Sequence, residues 1–207
     1  MTQRFAVVDR KTHETDIRVE VDLSPGARTR EEEIRTGVGF LDHMLHHVGR
    51  HGRFRLAARC SGDTHIDDHH SVEDVGIALG QALAEALGDK RGIERYGSAD
   101  VPMDEALARV ALDLSGRAAL VFRVPWTSYG IEKPAIAGET IGVFDVQLVE
   151  EFFVAVTQNA RMNLHVQCPW GANNHHLAEA VFKAFGRSLR AAVAVTGDEV
   201  MSTKGSI

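Results

Sequence analysis

The chain is expected to fold as an α+β protein built from two copies of one half-domain, and three observations predict this. The segments Asp68–Glu73 and Asn174–Glu179 share one pattern: a polar cap, two adjacent histidines, and a glutamate four positions after the first histidine. Each opens a long stretch of helical apolar periodicity. Each also closes the same run of elements, strand, strand, helix, strand, helix. Such self-similarity marks a duplication, and a small sheet with helices on one face is an α+β layering. Residues 1–97 and 98–207 are the expected half-repeats of one compact unit.

Taken in order, Phe5–Arg10 and Thr15–Leu23 read as strands, the second alternating as Ile17, Val19, Val21 and Leu23. Pro25-Gly26 opens a charged loop running to Gly39. Phe40–Val48 reads as a short helix and Phe54–Cys60 as a strand. Asp68 is expected to cap a helix reaching Leu87, with Val75, Ala78, Leu79, Ala82 and Leu87 as its apolar stripe. Gly76 and Gly80 in that helix read as points of close helix packing rather than a phosphate loop. In the second half, Ala106–Leu114 and Ala118–Val124 read as strands around the turn Ser115-Gly116-Arg117. Asp145–Ala160 is a helix, Asn163–Cys168 a strand, and Asn174 the expected cap of a helix through Ala194. Between them Pro125–Gly142, with Trp126, Tyr129 and Pro134, reads as a surface loop.

The bulk properties narrow the function. A chain of 207 residues, 44% apolar and 25% charged, can bury a proper core. Its net charge of −6 argues against nucleic acid or a membrane surface as partner, and no apolar run approaches membrane-spanning length. Cys60 and Cys168 are too few for a disulfide framework and lack His or Asp spacing for a thiol nucleophile, so a reduced, cytoplasmic setting is expected. The unusual feature is eleven histidines.

Histidine and carboxylate are metal-ligand types, and residues four apart on a helix share a face. His69 with Glu73, and His175 with Glu179, can therefore each close on one ion. The second histidines, His70 and His176, lie about 100° around the helix and point elsewhere. Two ions, with ligands shared between copies or subunits, follow. The repeat adds two candidates. His43 precedes His69 by 26 positions, and Glu151, on the equivalent helix, precedes His175 by 24. His46, His47 and His65 have no partner logic of their own and read as solvated or packed, His165 as packed within a strand, and His51 as a loop residue near the site. Arg95, Arg117, Lys183, Ser202 and Lys204 individually read as surface groups and together form a candidate phosphate clamp.

The segments Phe40–Leu45, His65–His70, Asn174-His175-His176 with Phe182-Lys183-Ala184, and Ser202–Gly205 resemble the imidazoleglycerol-phosphate dehydratases of histidine biosynthesis. The resemblance runs from about Arg10 to Gly205 and is to the monofunctional form, without a preceding phosphatase domain. It implies helices sandwiched between two four-stranded sheets, a 24-subunit homo-oligomer, and two Mn²⁺ per active site at subunit interfaces. By motif, it implies His43, His69, His70, Glu73, Glu151, His175, His176 and Glu179 as the metal ligands. Position 151 departs from the family, many of whose members carry histidine there; a carboxylate still suits Mn²⁺.

The implied substrate is imidazole glycerol phosphate, the implied product imidazole acetol phosphate. Metals on the ring nitrogens would favour an imidazolate that expels hydroxide through a diazafulvene-like intermediate. Glu14 matches the residue expected to take the adjacent C–H proton. Arg95, Arg117, Lys183, Ser202 and Lys204 match the phosphate-binding positions. Two other readings stand beside this one. A dinuclear metallohydrolase would release phosphate, and a non-catalytic, metal-bridged assembly would be indifferent to Glu14→Gln.

Overall fold

The computed structural model describes residues 4–128, 131–132, 139–205 and 207. Two four-stranded sheets of identical topology form its outer layers. In the first, β1 (Phe5–Lys11), β2 (Thr15–Asp22), β3 (Ile34–Arg35) and β4 (Arg55–Gly62) run in the order β1-β2-β4-β3. In the second, β5 (Tyr96–Met103), β6 (Ala106–Asp113), β7 (Ala119–Arg123) and β12 (Asn163–Trp170) run β5-β6-β12-β7. Each sheet has two antiparallel pairings and one parallel edge, β3 on β4 and β7 on β12. Two-residue ladders join β8 (Thr127–Ser128) to β9 (Ile131–Glu132) and β10 (Thr140–Ile141) to β11 (Phe144–Asp145).

Alternation decides which way each sheet faces. Ile17, Val19 and Val21 of β2 are buried, while Asp16 and Arg18 are exposed. In β6, Ala106, Ala108, Val110 and Leu112 are buried. The inward faces cover a layer of four helices: α1 (Gly39–Gly52), α2 (His69–Leu87), α3 (Gln147–Ala160) and α4 (Asn174–Ala192). α2 lies on β1 and β2, and α4 on β5 and β6. At the centre Phe152, Phe153, Phe182 and Phe185 pack ring on ring at 4.9–5.3 Å.

Helix pairing crosses the repeat. α1, from the first half, packs on α4 from the second, and α2 packs on α3. Glycines permit the close approach. A Cβ on Gly80 of α2 would lie 2.7 Å from the Val156 carbonyl oxygen, and one on Gly186 of α4 would lie 2.6 Å from that of Val48. Gly80 and Gly186 each stand eleven positions after the first histidine of their motif. The expected packing role of Gly76 and Gly80 is therefore present, and it is repeated in the other helix pair.

Five details differ from the expectations. His51 lies on α1, which runs on to Gly52, and not in a loop. Asp68 occupies the N-cap of α2 without a side-chain cap bond; the Asp67 carboxylate accepts from the His69 N–H instead, at 2.8 Å. Asn173, not Asn174, caps α4, accepting from the N–H groups of His175 and His176. His165 is exposed on the outer face of its sheet. Trp126 is buried against Phe122 rather than part of a surface loop, whereas Tyr129 and Pro134 lie outside the described residues. Among the described residues, no helix is long and apolar enough to cross a membrane.

Candidate metal centre and active site

The crossed pairing of α1 and α4 brings His43, His175 and Glu179 together, with one ligand atom from each lying within 4.8 Å of the others. His175 Nε2 is 3.1 Å and His43 Nε2 3.6 Å from the same oxygen, Oε2 of Glu179. The other oxygen, Oε1, takes Lys183 Nζ and lies 3.4 Å from His47 Nε2. Glu179 is nearly buried, at 8% side-chain exposure. Burial alone would raise its pKa. Hydrogen bonds and charges from Lys183, His47 and His175 outweigh that and hold it at about 2.

His47 is the functional-site neighbour that sequence reasoning set aside. It lies one turn after His43, with the two Nε2 atoms 3.2 Å apart. Burial pushes its imidazole down to about 4, against the opposing charge of Glu179. Its Nδ1 is buried without a hydrogen-bond partner among the described residues. The spacing His43/His47, four positions on one helix, was the available signal.

The first copy of the motif is more open. His69 Nε2 and Glu73 Oε2 are 3.7 Å apart, both side chains more than 40% exposed. Glu151 is half-buried on α3, and its charge, after burial, raises the pKa of neighbouring Glu150. Among the described residues, only His43, His175 and Glu179 converge as a group of three metal-ligating side chains. The structure thus does not bring Glu151 onto His69 and Glu73 as it brings His43 onto His175 and Glu179.

The second histidines of both motifs point away from these pairs, and each meets a carboxylate through Nδ1. His70 Nδ1 is 3.0 and 3.2 Å from the oxygens of Asp63. His176 Nδ1 is 2.7 Å from Oε2 of Glu105, and its Nε2 lies 3.7 Å from Oδ2 of Asp104. The Nδ1 contact, with backbone N–H groups of Ala172 and Asn173 among the donors, holds Glu105 at about 2. Neither Asp63 nor Glu105 is marked by a local pattern in the sequence, Glu105 standing 71 positions from His176.

Glu14 sits exposed in the β1–β2 turn, beside His70 in the electrostatic sense: after the hydrogen bond to Asp63, its charge also raises the pKa of His70. The turn is well held. Thr12 Oγ1 accepts from the N–H groups of Glu14 and Thr15, and the Asp63 N–H donates to the Glu14 carbonyl. Buried Asp74, one residue after Glu73, accepts from Thr15 Oγ1 at 2.6 Å and from Arg10 Nη2 at 2.7 Å. The base candidate is therefore tied to the helix that carries the metal-ligand candidates.

Four of the five phosphate candidates gather elsewhere. Arg95, Arg117, Ser202 and Lys204 line one pocket of about 540 Å³. Arg95 adopts a left-handed backbone conformation, φ 69°, and is locked on both oxygens of Asp113 at 2.6 and 3.0 Å. Its remaining nitrogen donates to the Met201 carbonyl, which fixes the chain terminus against the pocket. Lys183 is not among the lining residues; it is held by Glu179. Neither cysteine is poised for reaction, since burial raises the pKa of Cys60 and pushes that of Cys168 up to about 12.

Comparisons with known proteins point to one family. A sequence model of the family described as "imidazoleglycerol-phosphate dehydratase" matches residues 36–189. Curated relatives of that name from Methylorubrum extorquens and Dinoroseobacter shibae are each 53% identical, covering 99% of this chain and 100% of theirs. Solved imidazoleglycerol-phosphate dehydratases are similar in fold. The Staphylococcus aureus structure has a TM-score of 0.76 at 38% identity, over 93% of this chain and 99% of that one. The Pyrococcus furiosus structure has 0.79 at 34%, over 97% and 100%.

Proposed function

The chain belongs to the imidazoleglycerol-phosphate dehydratase family, whose members are hydro-lyases, and on that premise we propose that it dehydrates imidazole glycerol phosphate to imidazole acetol phosphate in the cytoplasm. The convergence of His43, His175 and Glu179 carries the metal part of this reading. Imidazole nitrogen and carboxylate oxygen are donors compatible with Mn²⁺, and a nearly buried glutamate ringed by imidazoles is a site that a cation completes. His43, His175 and Glu179 hold one ion; His69 and Glu73 hold the second, with Glu151 reaching a metal only across a subunit contact; His70 and His176 serve ions of neighbouring subunits in a 24-mer.

Bound there, the metal supplies Lewis acidity to the imidazole ring, which favours loss of the hydroxyl on the adjacent carbon. The chain's own residues do the rest. Arg95, Arg117, Ser202 and Lys204 bind the phosphate, and Lys183 joins them when subunits assemble. Fixing that remote group orients the reacting carbons. Glu14 takes the proton from the carbon bearing the next hydroxyl, so hydroxide and one proton leave as water and the enol relaxes to the ketone. The β1–β2 turn, braced by Thr12, Thr15 and Asp74, holds the carboxylate for this task.

The test is manganese-loaded protein incubated with imidazole glycerol phosphate. The expected result is formation of imidazole acetol phosphate with no inorganic phosphate released. Phosphate release would instead favour a metallohydrolase, and no reaction at all would defeat the assignment.

A further inference from the structure

The two second histidines are aimed by carboxylates. We propose that Asp63 and Glu105 are positioning residues that fix the tautomer of His70 and His176, so that each presents an Nε2 lone pair outward as a metal donor. The proposal rests on the reading of these histidines as ligands. It assigns which nitrogen binds and what enforces the choice.

The geometry for Glu105 is the more specific. Oε1 accepts from the N–H groups of Ala172 and Asn173, at 3.1 and 2.9 Å. Oε2 faces His176 Nδ1 at 2.7 Å. A carboxylate only accepts, so Nδ1 carries a proton. In the neutral imidazole Nε2 then keeps the lone pair, and the nearest carboxylate oxygen to it, Oδ2 of Asp104 at 3.7 Å, is too far to hold a proton on it by a hydrogen bond. The same residue also anchors the loop leading into α4, whose cap, Asn173, orders the first turn on which His176 stands. In the first half both oxygens of Asp63 face His70 Nδ1, at 3.0 and 3.2 Å, with the same consequence for its tautomer.

The clamps occupy different places in the repeat. Glu105 stands in the β5–β6 turn, whereas Asp63 follows β4. The turn equivalent to β5–β6 is β1–β2, and it carries Glu14. One turn glutamate thus holds a histidine. The other leaves that task to Asp63 and remains available as the base.

The two clamps respond differently to amide substitution. In Glu105→Gln, the backbone N–H groups of Ala172 and Asn173 claim the amide oxygen, so the NH₂ group faces Nδ1. It donates there, and the tautomer switches to Nε2–H, which cannot bind a metal. In Asp63→Asn, the amide oxygen can still face His70, and only charge is lost. Second-sphere partners of this kind are worth about 10–100-fold in metal affinity. Glu105→Gln is therefore expected to weaken manganese binding within that range, and Asp63→Asn by less.

The readouts are manganese affinity by calorimetry and ¹⁵N-histidine solid-state NMR of the metal-free full chain under alkaline conditions. His176 is assigned by difference from His176→Ala. Support is an Nδ1–H signature in the unmutated protein, an Nε2–H signature in Glu105→Gln, and the ordered loss of affinity. An Nε2–H signature in the unmutated protein overturns the proposal even if the variants fail to fold. Affinity lost in His176→Ala but retained in folded Glu105→Gln overturns the proposal alone. Affinity retained in His176→Ala overturns the ligand reading together with it.

Discussion

Glu179 divides its two oxygens between two jobs. Oε2 faces His43 and His175, while Oε1 is held by Lys183 and His47. His47 has consequences for pH in the metal-stripped chain. Burial lowers its folded pKa to about 4, against roughly 6.5 when unfolded. The groups facing it are Glu179 and Lys183 on α4 and His43 and His51 on its own helix. Between those pKa values the unfolded chain binds more protons at this residue, so stability increases with pH across the window. Melting temperature should fall as pH drops from about 6.5 toward 4. His47→Gln keeps a neutral donor near Glu179 but does not titrate, and it should flatten that part of the curve. Parallel curves for the two proteins would refute the assignment of this slope to His47. Glu14 gives the matching catalytic prediction. Glu14→Gln should lower turnover by about 10²–10⁴-fold, the typical worth of a general base, with manganese affinity unchanged in calorimetry. Activity within a few-fold of the unmutated enzyme would remove Glu14 from the chemistry.

At the level of elements, the site depends on two helix pairs that touch through glycine. Ala for Gly in a helix gains about 1 kcal/mol of propensity. At Gly80 and Gly186, however, the new Cβ meets backbone of the partner helix at 2.7 and 2.6 Å, which cannot rotate away. Overpacking of this sort costs about 1–3 kcal/mol, so the clash prevails. With a net cost of up to about 2 kcal/mol, Gly80→Ala and Gly186→Ala should each lower the melting temperature, by up to about 4–8 °C. Gly39→Ala, where a Cβ meets nothing within 4 Å, should be neutral or stabilising. Equal melting temperatures for all three would count against tight packing at these points. These helices were readable from the sequence because periodicity over long segments is a strong signal. β5 was not, since Tyr96–Met103 is made largely of small or polar residues and contains Pro102, tolerated only because the strand lies at a sheet edge. β3 was hidden in a charged loop. Missing both led the sequence reading to equate β1 and β2 with β6 and β7, whereas the sheets equate them with β5 and β6. The site divides on the same line. His175/Glu179 and His69/Glu73 were legible through local helix spacing, and His43 through the repeat. Glu105 meets His176 across 71 positions, which no local pattern encodes.

For the whole molecule, the question is how much of the proposed chemistry one chain gathers. The His43–His175–Glu179 group draws on residues of both expected half-repeats, 1–97 and 98–207, through the α1–α4 contact. Those three side chains leave a divalent first-row ion short of ligands, while His70 and His176 turn Nδ1 to Asp63 and Glu105 rather than joining that group. The two facts fit if each chain lends its second histidines to a neighbour. Metal would then join subunits, and its removal should be read in particle size. Exhaustive chelation is expected to convert the assembly into smaller oligomers in sedimentation velocity, and manganese should restore the larger form. Mild acid should act in the same direction, since a protonated imidazole cannot bind metal. His70→Ala and His176→Ala should mimic chelation even with manganese present, because they delete only the donors lent across the contact. Sedimentation unchanged by complete metal removal, and by both variants, would place every ligand within one chain and leave the assembly to be held by apolar contacts alone.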